Sequence, residues 1–278
     1  MDKKLLLSAL IILLPFSVML GWGAEGHKLI SNKAMTLLPE DMNSFMKWQD
    51  YVTIHSVDPD LRKNSDKSEG PKHFIDIDFY PEFLNGKMIQ DKSELDAEYG
   101  DSTVTKMGLL PWATLDTYNK LVSALKDKDR DKAMIYLADL GHYVADGHQP
   151  MHAIMNYNGQ MSGQKGIHYR YESIMVDSNL AQINNDFQAE SPIYISHPLD
   201  FIFKYIADAN SVADVLFNAD NFAYKNAKSR EDSEYYRLLW FKTKYVTETQ
   251  IENAATDFAS LFYSAWMDAG EPAFDEIN

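Results

Sequence analysis

Apolar residues in this chain recur mostly at intervals of three and four, the period of a helix with one face turned to a core. Ile30, Ala34 and Leu37 mark a first helix, and Pro39 suits the opening turn of a second. Helical spacing of apolar positions runs from Pro111 to Ala124. Asp129 stands where an N-cap belongs, ahead of Ala133, Tyr136, Leu137 and Leu140. Phe201, Ile202, Tyr205 and Ile206 mark a further helix, and Ile251 to Trp266 a long one. Only Phe74 to Tyr80 alternates apolar and acidic residues as a strand does, and one isolated strand cannot build a sheet. No repeat or Pro/Gly-rich linker divides the chain. The pattern predicts a single all-α domain, with long loops between roughly residues 55 and 105 and at 153–167.

The start of the chain has a different pattern. Lys3 and Lys4 precede an apolar run from Leu5 to Leu20, and Gly21 offers a small residue for cleavage, although Met19 is bulky for its position. The run is short for a membrane-spanning helix, which needs roughly 20 residues. Residues 1–21 therefore read as a signal peptide and 22–278 as the mature domain, exported to the periplasm or secreted. The 278 residues are 45% apolar and 13% aromatic, enough for a sizeable core. There is no cysteine, which excludes disulfides and thiolate metal sites, so any metal must be held by nitrogen and oxygen. A formal net charge of −15 argues against general electrostatic attraction to nucleic acid or anionic lipid. Bound metal would bring positive charge locally.

The densest chemistry lies in the segment LGHYVADGHQPMHA. His142 and Asp146 are four apart on a predicted helix, so both side chains leave one face and can meet one ion. Pro150 ends that helix, and His152 lies beyond it, free to approach from another direction. His168 and Glu172 in GIHYRYES repeat the four-residue spacing. A single such pair is most often a surface ion pair. Two pairs and a clustered His, in a chain with eight His, fit the nitrogen and carboxylate donors that zinc takes.

Five separated segments, in order, carry a resemblance to a known superfamily. WGAEGH, from Trp22 to His27, resembles the start of single-strand-specific zinc nucleases of the S-one/P-one type. KHFIDID, with Asp58 15 residues before His73, follows the same branch. LGHYVADGHQPMHA resembles the central motif shared by those nucleases and the bacterial zinc-dependent phospholipases C. GIHYRYES resembles the last ligand segment, and FYSAWMDAG the closing helix of the nucleases.

The resemblance covers essentially the whole mature chain and implies a trinuclear zinc site. The first zinc would take Asp58, His73, His142 and Asp146; Asp58 is also the residue assigned to catalysis, with Asp60 as the nearby alternative ligand. The second would take His152, His168 and Glu172. The third would take the free amino nitrogen and carbonyl oxygen of Trp22 with His27, sharing Asp146. His55, His148 and His197 are left without a ligand role. The implied reaction is phosphodiester hydrolysis by a metal-bridged hydroxide on single-stranded DNA, RNA or 3′-nucleotides, with Phe74 and Asp76 gripping a base. Phe74 has an alternative role in the core. Two departures point to phospholipase C: the segment between His152 and His168 is short and lacks a Gly-Gly-Asn run, and Tyr171 precedes a Glu where nucleases mostly carry Asp. A phospholipid substrate is thus the alternative, and a non-catalytic zinc-stabilised binding protein a second. No obligate protein partner is expected.

Overall fold

The computed structural model describes residues 22–277; the expected signal peptide lies outside them. Among the described residues there are helices, turns and loops but no strand, and no helix is long and apolar enough to cross a membrane. The architecture is all-α.

Helix α1 spans Gly23–Thr36 and buries Gly26, His27, Ile30, Ser31 and Ala34 along one stripe. The face that packs the helix therefore carries His27 inward. Helices α2 (Leu110–Lys126) and α3 (Arg130–Gly147) lie side by side, joined by a tight turn with Lys128 at φ 58. Asp129 caps α3 as expected, accepting from the Lys132 amide at 3.1 Å. Every residue of α3 from Leu140 to Gly147 is buried. A helix end enclosed on all sides must bury its polar residues too, here His142 and Asp146. Helix α4 is Ala213–Asn226, and α5 is Ser233–Asp268, 36 residues or about 54 Å at 1.5 Å per residue. α5 packs on α1, α2, α3 and α4 and forms the spine of the molecule.

The alternating segment from Phe74 to Tyr80 is not a strand. Phe74 is extended, and the chain then tightens into a 3-10 turn over Ile77–Phe79. Its amides find single partners: Ile75 donates to the His152 carbonyl at 2.9 Å and Asp76 to that of Met107 at 2.7 Å. The two-residue alternation still sorts the side chains, with Ile75 and Ile77 buried and Phe74 and Asp76 partly exposed. The expected loop between 55 and 105 holds short helices at Asp58–Arg62, Lys92–Tyr99 and Asp101–Met107. The latter two bury one residue each, Leu95 and Val104, and so have no apolar stripe to read. The segment 153–167 is a loop, as expected.

Candidate metal centre

Three groups of buried side chains bring metal-binding atoms within 4.8 Å of one another: His27 with Asp60 and His142; His73 with His142 and Asp146; and His152 with His168 and Glu172. Asp146 lies between them. Its Oδ2 is 2.9 Å from His73 Nδ1 and 3.1 Å from His142 Nε2, and its Oδ1 is 3.3 Å from His152 Nδ1 and 3.5 Å from His27 Nε2. The four-residue spacing on α3 does what the helix period requires.

Backbone carbonyls set two of the imidazoles. His142 Nδ1 donates to the Ser56 carbonyl at 2.7 Å, which leaves Nε2 as the nitrogen facing the cluster. His152 Nδ1 donates to the His73 carbonyl at 2.6 Å, so its Nε2 faces Glu172 at 3.6 Å. Beyond His152, Glu172 Oε2 lies 2.7 Å from His168 Nε2 and accepts from Gln149 at 3.3 Å. Glu172 sits in a π-helical stretch, Arg170–Met175, a wide turn that recurs at functional sites.

Asp58 does not join the cluster. It pairs with His55 at 2.7 Å near the surface, each side chain about two-fifths exposed. Asp60 is buried instead, with Oδ1 3.5 Å from His73 Nδ1, 3.8 Å from His142 Nε2 and 2.5 Å from Lys63 Nζ. Residues two apart on a one-turn helix leave nearly opposite faces, so only one of the two carboxylates can point inward. The inward one is Asp60, which corrects the assignment of Asp58 to the site. Spacing in the sequence does not separate the two, because His55–Asp58 and Asp60–Lys63 are both three apart. Trp22 is fully buried against Tyr171, and its indole donates to the carbonyl of Ala145 at 2.7 Å, one residue from Asp146. His148 is also buried, donating to the Val144 carbonyl and facing Asp257 at 3.0 Å, away from the cluster. His197 stands outside it as the N-cap of the helix Pro198–Ser211.

The donors fit zinc. Buried polar atoms almost always find hydrogen-bond partners, yet His27 Nδ1, both ring nitrogens of His168 and Glu172 Oε1 make no hydrogen bond. Burial pushes the Glu172 carboxyl up to about 7 and the His168 imidazole down to about 3, because it disfavours the charged form of each. A cation bound by imidazole and carboxylate would satisfy both.

A cavity of about 420 Å³ opens on the cluster, with His73, His152 and His168 in its wall. Phe74, Asp76, Lys63, Lys106 and Tyr157 complete the polar and aromatic part of that wall. Lys63, Lys106 and Tyr157 drew no notice in the sequence, since none stands in a ligand motif. Gly108 holds Phe74 in place: a β-carbon there would lie 2.1 Å from the Phe74 carbonyl oxygen. Burial and then the Asp78 charge raise the Asp76 carboxyl to about 7, so near neutral pH it can donate or accept.

No curated protein matches the chain. A protein-family model described as Zinc dependent phospholipase C matches residues 26–268, nearly all of the described chain. That span takes in the His and acidic residues of all three groups, and the chain belongs to the zinc-dependent phospholipase C family, within the superfamily that includes the S-one/P-one type nucleases.

Proposed function

We propose that this zinc-dependent phosphoesterase cleaves single-stranded nucleic acid or 3′-nucleotides. The observation that carries the reading is the wall of the cavity beside the metal centre. Phe74 and Asp76 face it while their neighbours Ile75 and Ile77 are buried. An aromatic face is a platform for an unpaired base, and a carboxyl beside it can hydrogen-bond the base edge. Zinc held by these His and acidic residues would supply Lewis acidity and a water activated at neutral pH. The chain's own part is to place the substrate. Lys106 brings positive charge to the cavity of a protein whose formal net charge is −15, and so favours an anionic group there; Lys63 in the same wall is paired with Asp60. Phe74 and Asp76 orient the base.

Three zinc ions are proposed, with Asp60 taking the place first given to Asp58 and Trp22 offering its amino and carbonyl groups beside His27. Processing after Gly21 and export are proposed with them, because only cleavage would free that amino group. A second reading, phospholipase C, draws on the description of the family model and on Tyr171–Glu172. Purified zinc-loaded protein assayed on single-stranded DNA, RNA, 3′-nucleotides and phosphatidylcholine separates the two. Phe74→Ala is expected to raise KM for nucleotides by a factor matching roughly 1–3 kcal/mol of lost stacking, with turnover of any phospholipid changed less. Phosphatidylcholine cleavage without nucleotide cleavage would overturn the nuclease reading, and equal losses on both would make Phe74 a packing residue.

A further inference from the structure

A second polar cluster lies behind the ligand-bearing segment 168–172, outside the cavity. Its centre is Asp220 on α4, fully buried. Gln164 Nε2 donates to its Oδ2 at 2.8 Å, Arg170 Nη2 to its Oδ1 at 3.0 Å, and Arg230 Nη2 to its Oδ2 at 3.1 Å. The Tyr235 hydroxyl on α5 donates to the same carboxylate. Arg170 is the branch point. Besides Asp220, its Nε donates to the Tyr235 hydroxyl oxygen at 3.0 Å, Nη1 to the Lys165 carbonyl at 3.0 Å and Nη2 to the Gln164 carbonyl at 3.2 Å.

Arg170 stands two residues after His168 and two before Glu172, and it opens the π-helical stretch that carries Glu172. A π turn is a rare departure from the regular helix, so contacts from neighbouring elements bear on its shape. The hub supplies such contacts from α4 and α5. It also ties down Gln164 and Lys165, the end of the loop that leads into His168. A single carboxylate thereby joins the loop, the ligand segment and two packed helices.

We infer that Asp220 is a positioning residue for the metal centre, fixing through Arg170 the separation and aim of His168 and Glu172. It touches neither substrate nor metal. The inference rests on the reading that His152, His168 and Glu172 hold a zinc ion. Partners bonded directly to metal ligands typically change metal affinity by about 10–100-fold when removed, and Asp220 acts one step further out through Arg170, so a smaller change is expected.

The test is zinc affinity measured by competition with a graded chelator on the full mature protein, alongside the melting temperature of the metal-stripped form. His168→Ala identifies the ion concerned. Asp220→Asn is expected to weaken that same ion by up to about 10-fold, the low end of the range for direct partners of a ligand, and leave the others unchanged. Tyr235→Phe, which keeps the ring and removes one link to Arg170, is expected to weaken it less. It decides the matter if Asp220→Asn does not fold. Arg230→Gln touches the same carboxylate but not the ligand segment, and is expected to lower melting without changing zinc affinity. Lower melting with unchanged zinc affinity in Asp220→Asn and Tyr235→Phe would reduce the hub to a structural role and overturn the inference. So would an equal loss of affinity in Arg230→Gln. If His168→Ala itself leaves zinc binding intact, the metal reading falls and takes the inference with it.

Discussion

Asp58 and Asp60 have the same side chain and neighbouring positions, and the helix of one turn that carries them sends one to solvent and one to the metal centre. Asp60→Asn keeps the shape and removes the charge facing His73 and His142, and activity is expected to fall by at least about 10²-fold, the scale for losing a main electrostatic element. Asp58→Asn breaks only the exposed pair with His55, worth about 0–1 kcal/mol, and should leave turnover near wild type. Parallel steady-state kinetics decide it, and a larger loss in Asp58→Asn would reverse the assignment. His142 and Asp146 were legible in the sequence because a spacing of four on a long helix has one geometric meaning. The choice between Asp58 and Asp60 was not, because five helical residues give no apolar stripe to say which face is inside.

Elements with a regular stripe were likewise legible: α1, α2, α3, the helix Pro198–Ser211 and the second half of α5 stand where the apolar spacing put them. The misread segment is Phe74 to Tyr80. Its alternation is real, but the side chains divide between core and cavity rather than between two faces of a sheet, and the backbone bonds go to single partners. The end of α3 poses a packing problem of its own. A β-carbon on Gly147 would sit 2.3 Å from the Tyr205 ring, which stacks on His148 at 4.4 Å between centroids. Gly147→Ala is therefore expected to destabilise by about 1–3 kcal/mol, as overpacked cores do. Since Asp146 is the residue just before it, zinc affinity should weaken as well. Adding Tyr205→Leu should recover part of the stability in denaturant melts, because it removes the clash. A double variant no more stable than the sum of its parts would show that the ring is not what constrains this position.

At the scale of the whole molecule the candidate metal centre is a load on the fold. His27, His73, His142, Asp60, Asp146, His168 and Glu172 are all buried, and no disulfide braces the chain around them. Metal that binds only the folded state adds stability by mass action, about 4 kcal/mol per ion at a thousandfold excess over Kd. For a domain of this size each kcal/mol is worth roughly 2–4 °C. Stripping the zinc is thus expected to lower the melting temperature by about 8 °C or more. The difference should shrink as pH falls below about 7, where zinc must displace a proton from the Glu172 carboxyl, while burial keeps the His168 imidazole neutral down to about 3. Calorimetry with and without chelator across that range would show it, and superimposed melts at neutral pH would contradict it. The long helix α5 adds a constraint of time. It follows every candidate ligand in the chain, yet Phe258 packs at Gly141, Thr247 bonds Tyr171, and Tyr235 reaches Arg170. A nascent chain still short of Ser233 would already contain every one of those ligands without the spine that sets their spacing. Metal that met it then would find loose His and Asp side chains able to bind in the wrong combinations. Correct loading therefore belongs after synthesis of α5, a late event imposed by the order in which the chain is made.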